Sequence, residues 1–350
     1  MSSLTIALAS LGGVLLAGVI AHGAWQARKA GPKRAAIQPQ RVEPREPVMG
    51  DAVEGGDGAR IAELPVPVSE RRASKRSANR LDASIDSIVT LTLEAPVGGA
   101  FVLSHLPATR RAGSKPFLIE GLNSETGAWE APDSSQRYGE LQAGVQLANR
   151  TGGLNEIEYS EFVQTLQAFA DAIGAIADFP DMLEVVASAR ELDHFASERD
   201  AQLAVHLKAR SVAWSVGYIQ QHAGRHGFVP GVVPGRLVLP AGEEGSPPVL
   251  TLTFDSQAAF ADDPNLAAVR DVTLSFDVPQ TDPAVQPFIA WQAAAQALSL
   301  GMDASIVDDN GRPLSPEGFT AIGAELERLY KALAERDMAA GSAAARRLFS

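Results

Sequence analysis

The chain contains no cysteine, so disulfides and thiolate zinc sites are excluded, in keeping with a cytoplasmic setting. Positive charge is scarce beyond residue 80: the last 270 residues hold 18 Lys/Arg against 35 Asp/Glu, whereas the first 80 hold 12 against 7. An acidic body is repelled by phosphate backbones, which argues against a nucleic-acid partner.

Catalytic signatures are missing too. There is no "GxSxG" elbow, and the Gly-rich pieces "GFVPGVVPG" and "EEGSPP" lack a phosphate-loop lysine or a dinucleotide fingerprint opening a helix. His222 and His226 in "QHAGRH" stand four apart, but no zincin-like Glu or third ligand accompanies them, and a solvated helix end near Gly227 accounts for both. "DASIVDDNG" lacks calcium-loop spacing, and Asp262 and Asp263 sit in polar loop sequence. Trp214, Tyr218, Phe288, Trp291, Phe319 and Tyr330 fall at helical positions, as core packing requires. With no converging set of titratable groups, the chain reads as a non-enzyme without cofactor or metal, a tethered binding module.

What is present first is an apolar run. No Lys, Arg, Asp or Glu occurs before Arg28, and Leu4 to Trp25 is long enough for a helix of roughly 20 residues to cross hydrocarbon. Leu4, Ile6, Leu8, Leu11, Val14, Leu15, Leu16, Val19 and Ile20 supply its apolar surface, and Trp25 suits an interface. The basic cluster Arg28, Lys29, Lys33 and Arg34 follows the run, whereas a secretory signal carries its charge before it. The expectation is a permanent single-pass membrane anchor, over the alternative that "AHGA" is a cleavage site, with a short N-terminus outside, the remainder cytoplasmic, and the basic flank against anionic lipid. Residues 30–80, rich in proline, glycine and charge, read as a disordered tether that the prolines extend.

From Leu81 the pattern becomes periodic. "IDSIVTLTL", "PFLIEG", "LQAGVQLAN" and "NEIEYSEF" read as strands, with a short helix near Phe101 to Arg110. "VQTLQAFADAIGAIADF" reads as a helix with Leu166, Phe169, Ile173 and Ile176 on one face, and "PDMLEVVASARELDHFASE" as another. The second half reads as strand "AQLAVHLKA", helix "SVAWSVGYIQQHAGRHG", strands "GRLVLP", "PVLTLTFD" and "DVTLSFDV", helix "PFIAWQAAAQALSLGM", a strand in "ASIVDDNGRPLS", and a final helix opened by Ser315 and Pro316. Pairing "LQAGVQLAN" with "PVLTLTFDS", and "NEIEYSEF" with "DVTLSFDV", gives both halves one element order. The soluble part is thus expected to be a tandem pair of α+β modules, the first diverged. The expected divisions are 1–29 anchor, 30–80 linker, 81–198 first module, 199–340 second module and 341–350 tail.

The span with its basic flank, the tether containing "RVEPREP", and a terminal β-α-β-β-β-α-β-α order ending in "DDNGRPLSPEGFTAIGAELERLYKAL" together resemble the ZipA family, membrane anchors of the division protein FtsZ. The resemblance is strongest from about Asp200 to Asp337, carried by "FVPGVV", "VTLSFDV" and "VDDNGRPLSPEGF" in that order; it covers anchor and tether by architecture only. It implies an antiparallel sheet with helices on one face, a split β-α-β arrangement, whose other face receives the C-terminal tail of FtsZ during septum assembly. Alternation directs Leu237, Leu239, Leu250, Leu252, Phe254, Leu274 and Phe276 toward the helices. The outward set, Arg236, Val238, Thr251, Thr253, Thr273 and Ser275, is the candidate partner-binding face. These positions are mostly polar, where the family carries bulky apolar residues. Either the peptide binds through backbone and polar contacts, or the upstream module covers or replaces the face. The alternative function is a membrane-anchored structural organiser that self-associates or binds another division or envelope protein.

Overall fold

In the first module strand β1 (Asp86–Gly98) lies between β5 (Arg137–Gln146) and β8 (Ala175–Asp178), with every pairing antiparallel. The computed structural model describes residues 80–243, 245–259 and 268–350; the apolar N-terminal run, its basic flank, nearly all of the tether, and Asp262 and Asp263 lie outside them. Among the described residues no helix is long and apolar enough to cross a membrane. The described chain divides between Asp193 and His194 into two compact units.

The first sheet runs β2-β3-β5-β1-β8, with β2 at Arg111–Ala112, β3 at Lys115–Asn123, and β4 (Trp129–Glu130) added beside β3. Period-two alternation puts Val89, Leu91, Phe117, Ile119, Leu141, Ala143 and Val145 on one buried face. Helix α1 (Gly99–His105) follows β1 and stops short of the expected Arg110, because Pro107 disfavours helical backbone at the residue before it. Helix α2 (Glu156–Ile173) brings buried Phe162, Leu166 and Phe169 to the core, where the Phe162 ring meets Phe117 edge-on at 5.4 Å. A short antiparallel pair, β6 (Ala148–Asn149) and β7 (Gly152–Gly153), precedes α2, and helix α3 (Met182–Ser197) follows β8.

Two sequence expectations fail here. "NEIEYSEF" is not a strand but the opening of α2: Asn155 accepts from the amides of Ile157 and Glu158 while the Glu158 carboxylate returns to the Asn155 amide, a capping box. Its apparent alternation is accidental, since Ile157 is 81% exposed while Tyr159 is buried. Ile176 does not share the helix face of Leu166, Phe169 and Ile173; Gly174 at φ 70° ends the helix, and Ile176 stands 72% exposed on β8.

Around the start of α2 lies a buried polar brace. The Lys115 ammonium donates to Asn149 Oδ1 (2.8 Å), Ser114 Oγ (2.9 Å) and Thr151 Oγ1 (3.3 Å). The Ser114 amide and hydroxyl donate to Glu158 Oε1 at 2.8 and 2.7 Å. Burial pushes the Lys115 ammonium below its ordinary pKa against the pull of Glu158 and Asp193. Burial pushes Glu158 the other way, upward, but the Ser114 and Asn155 hydrogen bonds, with the Lys115 charge, outweigh it and hold the carboxyl below 4.5.

The residues ahead of β1 cross the opposite face of this sheet. The Leu81 side chain fills the space over Gly144, where even a Cβ would meet it at 2.4 Å. The Leu81 amide donates to Glu120 Oε1 (3.1 Å), Gln142 Nε2 donates to Glu120 Oε2 (2.9 Å), and Arg80 Nη2 donates to the Trp129 carbonyl (2.6 Å).

The second module consists of β9 (Gln202–Ala209), α4 (Val216–Gly224), β10 (Val229–Pro230), β11 (Arg236–Leu239), β12 (Leu250–Thr253), β13 (Asp271–Asp277), α5 (Pro287–Met302), β14 (Ala304–Val307) and α6 (Pro316–Ala334). Its antiparallel sheet runs β10-β11-β12-β13-β9-β14. Trp214, expected on a helix, precedes the Ser215 N-cap, pairs with Val269 and donates its indole N–H to the Met302 carbonyl at 2.7 Å. Trp291 on α5 donates to the Leu274 carbonyl (3.0 Å), and its ring meets Phe276, Phe288 and Phe319 at 5.7 to 6.3 Å between centroids. Residues 341–350, set apart in the sequence as a tail, contain helix α7 (Ala343–Leu348), with Ala345, Leu348 and Phe349 buried.

The two sheets share one strand order. β2-β3-β5-β1-β8 corresponds to β11-β12-β13-β9-β14, with α1, α2 and α3 at the places of α4, α5 and α6. The two modules therefore agree in strand order, but the pairing read from sequence is one strand out of step. β5 corresponds to β13 rather than to β12, because the first two turns of α2 look like a strand.

Two predictions concern the brace. Asn155→Ala removes the cap and is expected to lower stability by about 1 kcal/mol in urea titrations. For Glu158, whose folded pKa lies below 4.5, the stabilisation is complete above that pH and is lost as pH falls through the folded value. Glu158→Gln should flatten that limb of the stability-against-pH curve, measured by denaturation at stepped pH.

Candidate partner-binding face

Alternation on the second sheet separates two surfaces. Leu237, Leu250, Leu252, Val272, Leu274 and Phe276 are buried in a core shared with Ile219 of α4, Trp291 and Leu298 of α5, and Phe319 and Leu326 of α6. Side chains between them point the other way, to a face that carries none of these helices.

The strand register resolves that face into two rows. Arg236, Thr253, Thr273, His206 and Val307 are successive cross-strand partners from β11 to β14. Val229, Val238, Thr251, Ser275 and Ala204 form the second row, from β10 to β9. Neighbours within a row are about 4.8 Å apart, and the rows about 7 Å apart, two residues along each strand. All six candidate residues lie in these rows. Arg236, Val238, Thr251, Thr253 and Thr273 are half-buried; Ser275 is 5% exposed and offers almost no surface.

The flanks differ in charge. At the β11 side Arg236 donates from Nη2 to Thr251 Oγ1 at 3.3 Å, its buried Nε has no partner, and no carboxylate among the described residues pairs with it. On the β9 side His206 lies between two acids, with Nδ1 3.0 Å from Asp271 Oδ1 and Nε2 3.2 Å from Asp309 Oδ1. The Thr273 hydroxyl is 3.4 Å from Nδ1, and Lys208 approaches Asp271 Oδ2 at 3.8 Å. The middle of the face, Thr251, Thr253 and Thr273, presents methyl groups and hydroxyls without charge.

His206, Asp271 and Asp309 do not converge on one point, because the carboxylates meet opposite edges of the imidazole. Among the described residues no three His, Asp or Glu side chains are grouped to hold a metal ion. The His222 ring lies tilted by 41° against Tyr218 at 4.3 Å between centroids, and His226 lies exposed beyond the end of α4.

The sequence reading missed the β9 contribution. Ala204, His206 and Lys208 alternate with Leu203, Val205 and Leu207 as regularly as the threonines of β12 alternate with its leucines, so the signal was present once β9 was paired with β13. Val229 had no such signal, since β10 is only two residues long. Against known proteins, neither a family model nor a curated sequence matches this chain.

Proposed function

We propose that this chain is a membrane-tethered division protein. In this reading it binds the C-terminal tail of FtsZ on the face of the second sheet opposite α4, α5 and α6, holds FtsZ filaments at the cytoplasmic side of the inner membrane, and works by binding rather than catalysis. The observation that carries the reading is the packing of α4, α5 and α6 on one side of β11-β12-β13-β9, with the six candidate positions in two adjacent rows on the other. A sheet surface without its own helices is a platform on which a partner helix or extended segment can lie.

The energetics suit a weak, repeated contact. Burying one Val, Leu or Phe of a partner is worth roughly 1.5 to 3 kcal/mol, and Val229, Val238 and the threonine methyls are the apolar ground this face offers. Filaments present many tails to many anchors, so modest single contacts add through effective concentration.

A second reading, self-association or capture of another division or envelope protein, is favoured by the β10–β11 hairpin. Its tip exposes Val232 fully and Val233 by 55%. The two readings separate in one experiment, with the full chain in lipid nanodiscs and FtsZ with or without its tail. Tail-dependent binding is expected, Val238→Asp should weaken it roughly tenfold or more, and Val232→Asp should leave it unchanged. Binding indifferent to the tail would favour the second reading.

A further inference from the structure

We propose that the occupant of this face is a segment with an acidic residue toward one end and a basic residue toward the other, laid across the strands from Arg236 to the Asp271–Asp309 flank. The inference rests on the peptide-binding reading above and adds the charge pattern and direction of the peptide.

Arg236 carries the argument. Among the described residues this half-buried guanidinium bonds to a threonine hydroxyl, its Nε has no partner, and no carboxylate meets the planar fork that suits one. At the other flank the Asp309 side chain is 80% exposed and pairs, among the described residues, with His206. Asp271 is shared between His206 and Lys208. The face therefore offers on β11 a cation that no carboxylate among the described residues pairs with, and at the other flank the carboxylates of Asp271 and Asp309, with neutral threonines between them. Complementarity asks for the reverse order in the partner, acid over Arg236 and base over the aspartates.

Geometry sets direction and length. Arg236 and His206 are three strand spacings apart along one row, about 14 Å. A helix covers that distance in about ten residues and an extended chain in about four or five. Because the opposite charges stand on different strands, the segment must cross the strands. Adding a further strand at an edge would put it in the plane of the sheet, away from the face.

The test uses the full chain in nanodiscs and synthetic FtsZ tail peptides: the natural one, one with its Asp and Glu changed to Asn and Gln, and one with its Lys and Arg changed to Gln. Arg236→Gln should weaken the natural peptide about tenfold and leave the acid-neutralised peptide unaffected. Asp271→Asn with Asp309→Asn should weaken the natural peptide and spare the base-neutralised one. The two neutralised peptides test the same point on the unaltered protein, each binding it more weakly than the natural peptide. If the natural peptide binds wild type and both charge variants alike while Val238→Asp abolishes binding, the charge pattern is wrong and the face assignment stands. If the natural peptide does not bind the wild-type chain, both fall together.

Discussion

The indole of Trp291 sets the architecture of the second module. Its N–H is bonded to the carbonyl of Leu274 on an interior strand, and its ring is enclosed by Phe276, Phe288 and Phe319. Strand, preceding helix and final helix thereby meet on one side of the sheet. A fully buried tryptophan brings a large apolar area and one obligatory donor, and the strand carbonyl satisfies that donor where no water reaches. Because the apolar payload is concentrated on that side, alternation leaves polar and small side chains on the other. The face offered to a partner is thus what remains once the core has taken its share.

Local chemistry made much of this visible in the sequence. "LTLT" and "DVTLSFD" announce their buried and outward sets through strict alternation, and "PFIAWQAAAQALSLGM" coincides with α5 from end to end. Ser315 before Pro316 announces α6 by cap chemistry. Where the reading failed, two periods competed over a short span. In "NEIEYSEF" the alternation of Ile157 and Tyr159 suggested a strand, while the Asn155-to-Glu158 spacing pointed to a capped helix, and the cap prevailed. The polar brace around Lys115 was not legible. It joins residues 34 to 44 positions apart, whose proximity exists only after the sheet has formed.

The two modules share a strand order but treat their second faces differently. In the first, Gly144 leaves a notch that Leu81 occupies, and Glu120 receives both the Leu81 amide and the Gln142 side chain. In the second, the corresponding side bears Arg236, the threonines and His206, and no carboxylate among the described residues pairs with Arg236. The strand order is shared while the surface chemistry differs. Core positions are constrained by packing, whereas outward positions are free to change.

The lead-in across the first sheet has a mechanical consequence. Any pull arriving along the chain from upstream of Arg80 meets the module where Leu81 is seated over β5 and bonded to Glu120 of β3, before it reaches the end of β1. Load enters sideways onto two interior strands that are hydrogen-bonded to each other along most of their length. The module is harnessed through its middle, so a tug must part Arg80 from the Trp129 carbonyl and lift Leu81 from its notch before it can start to peel the sheet.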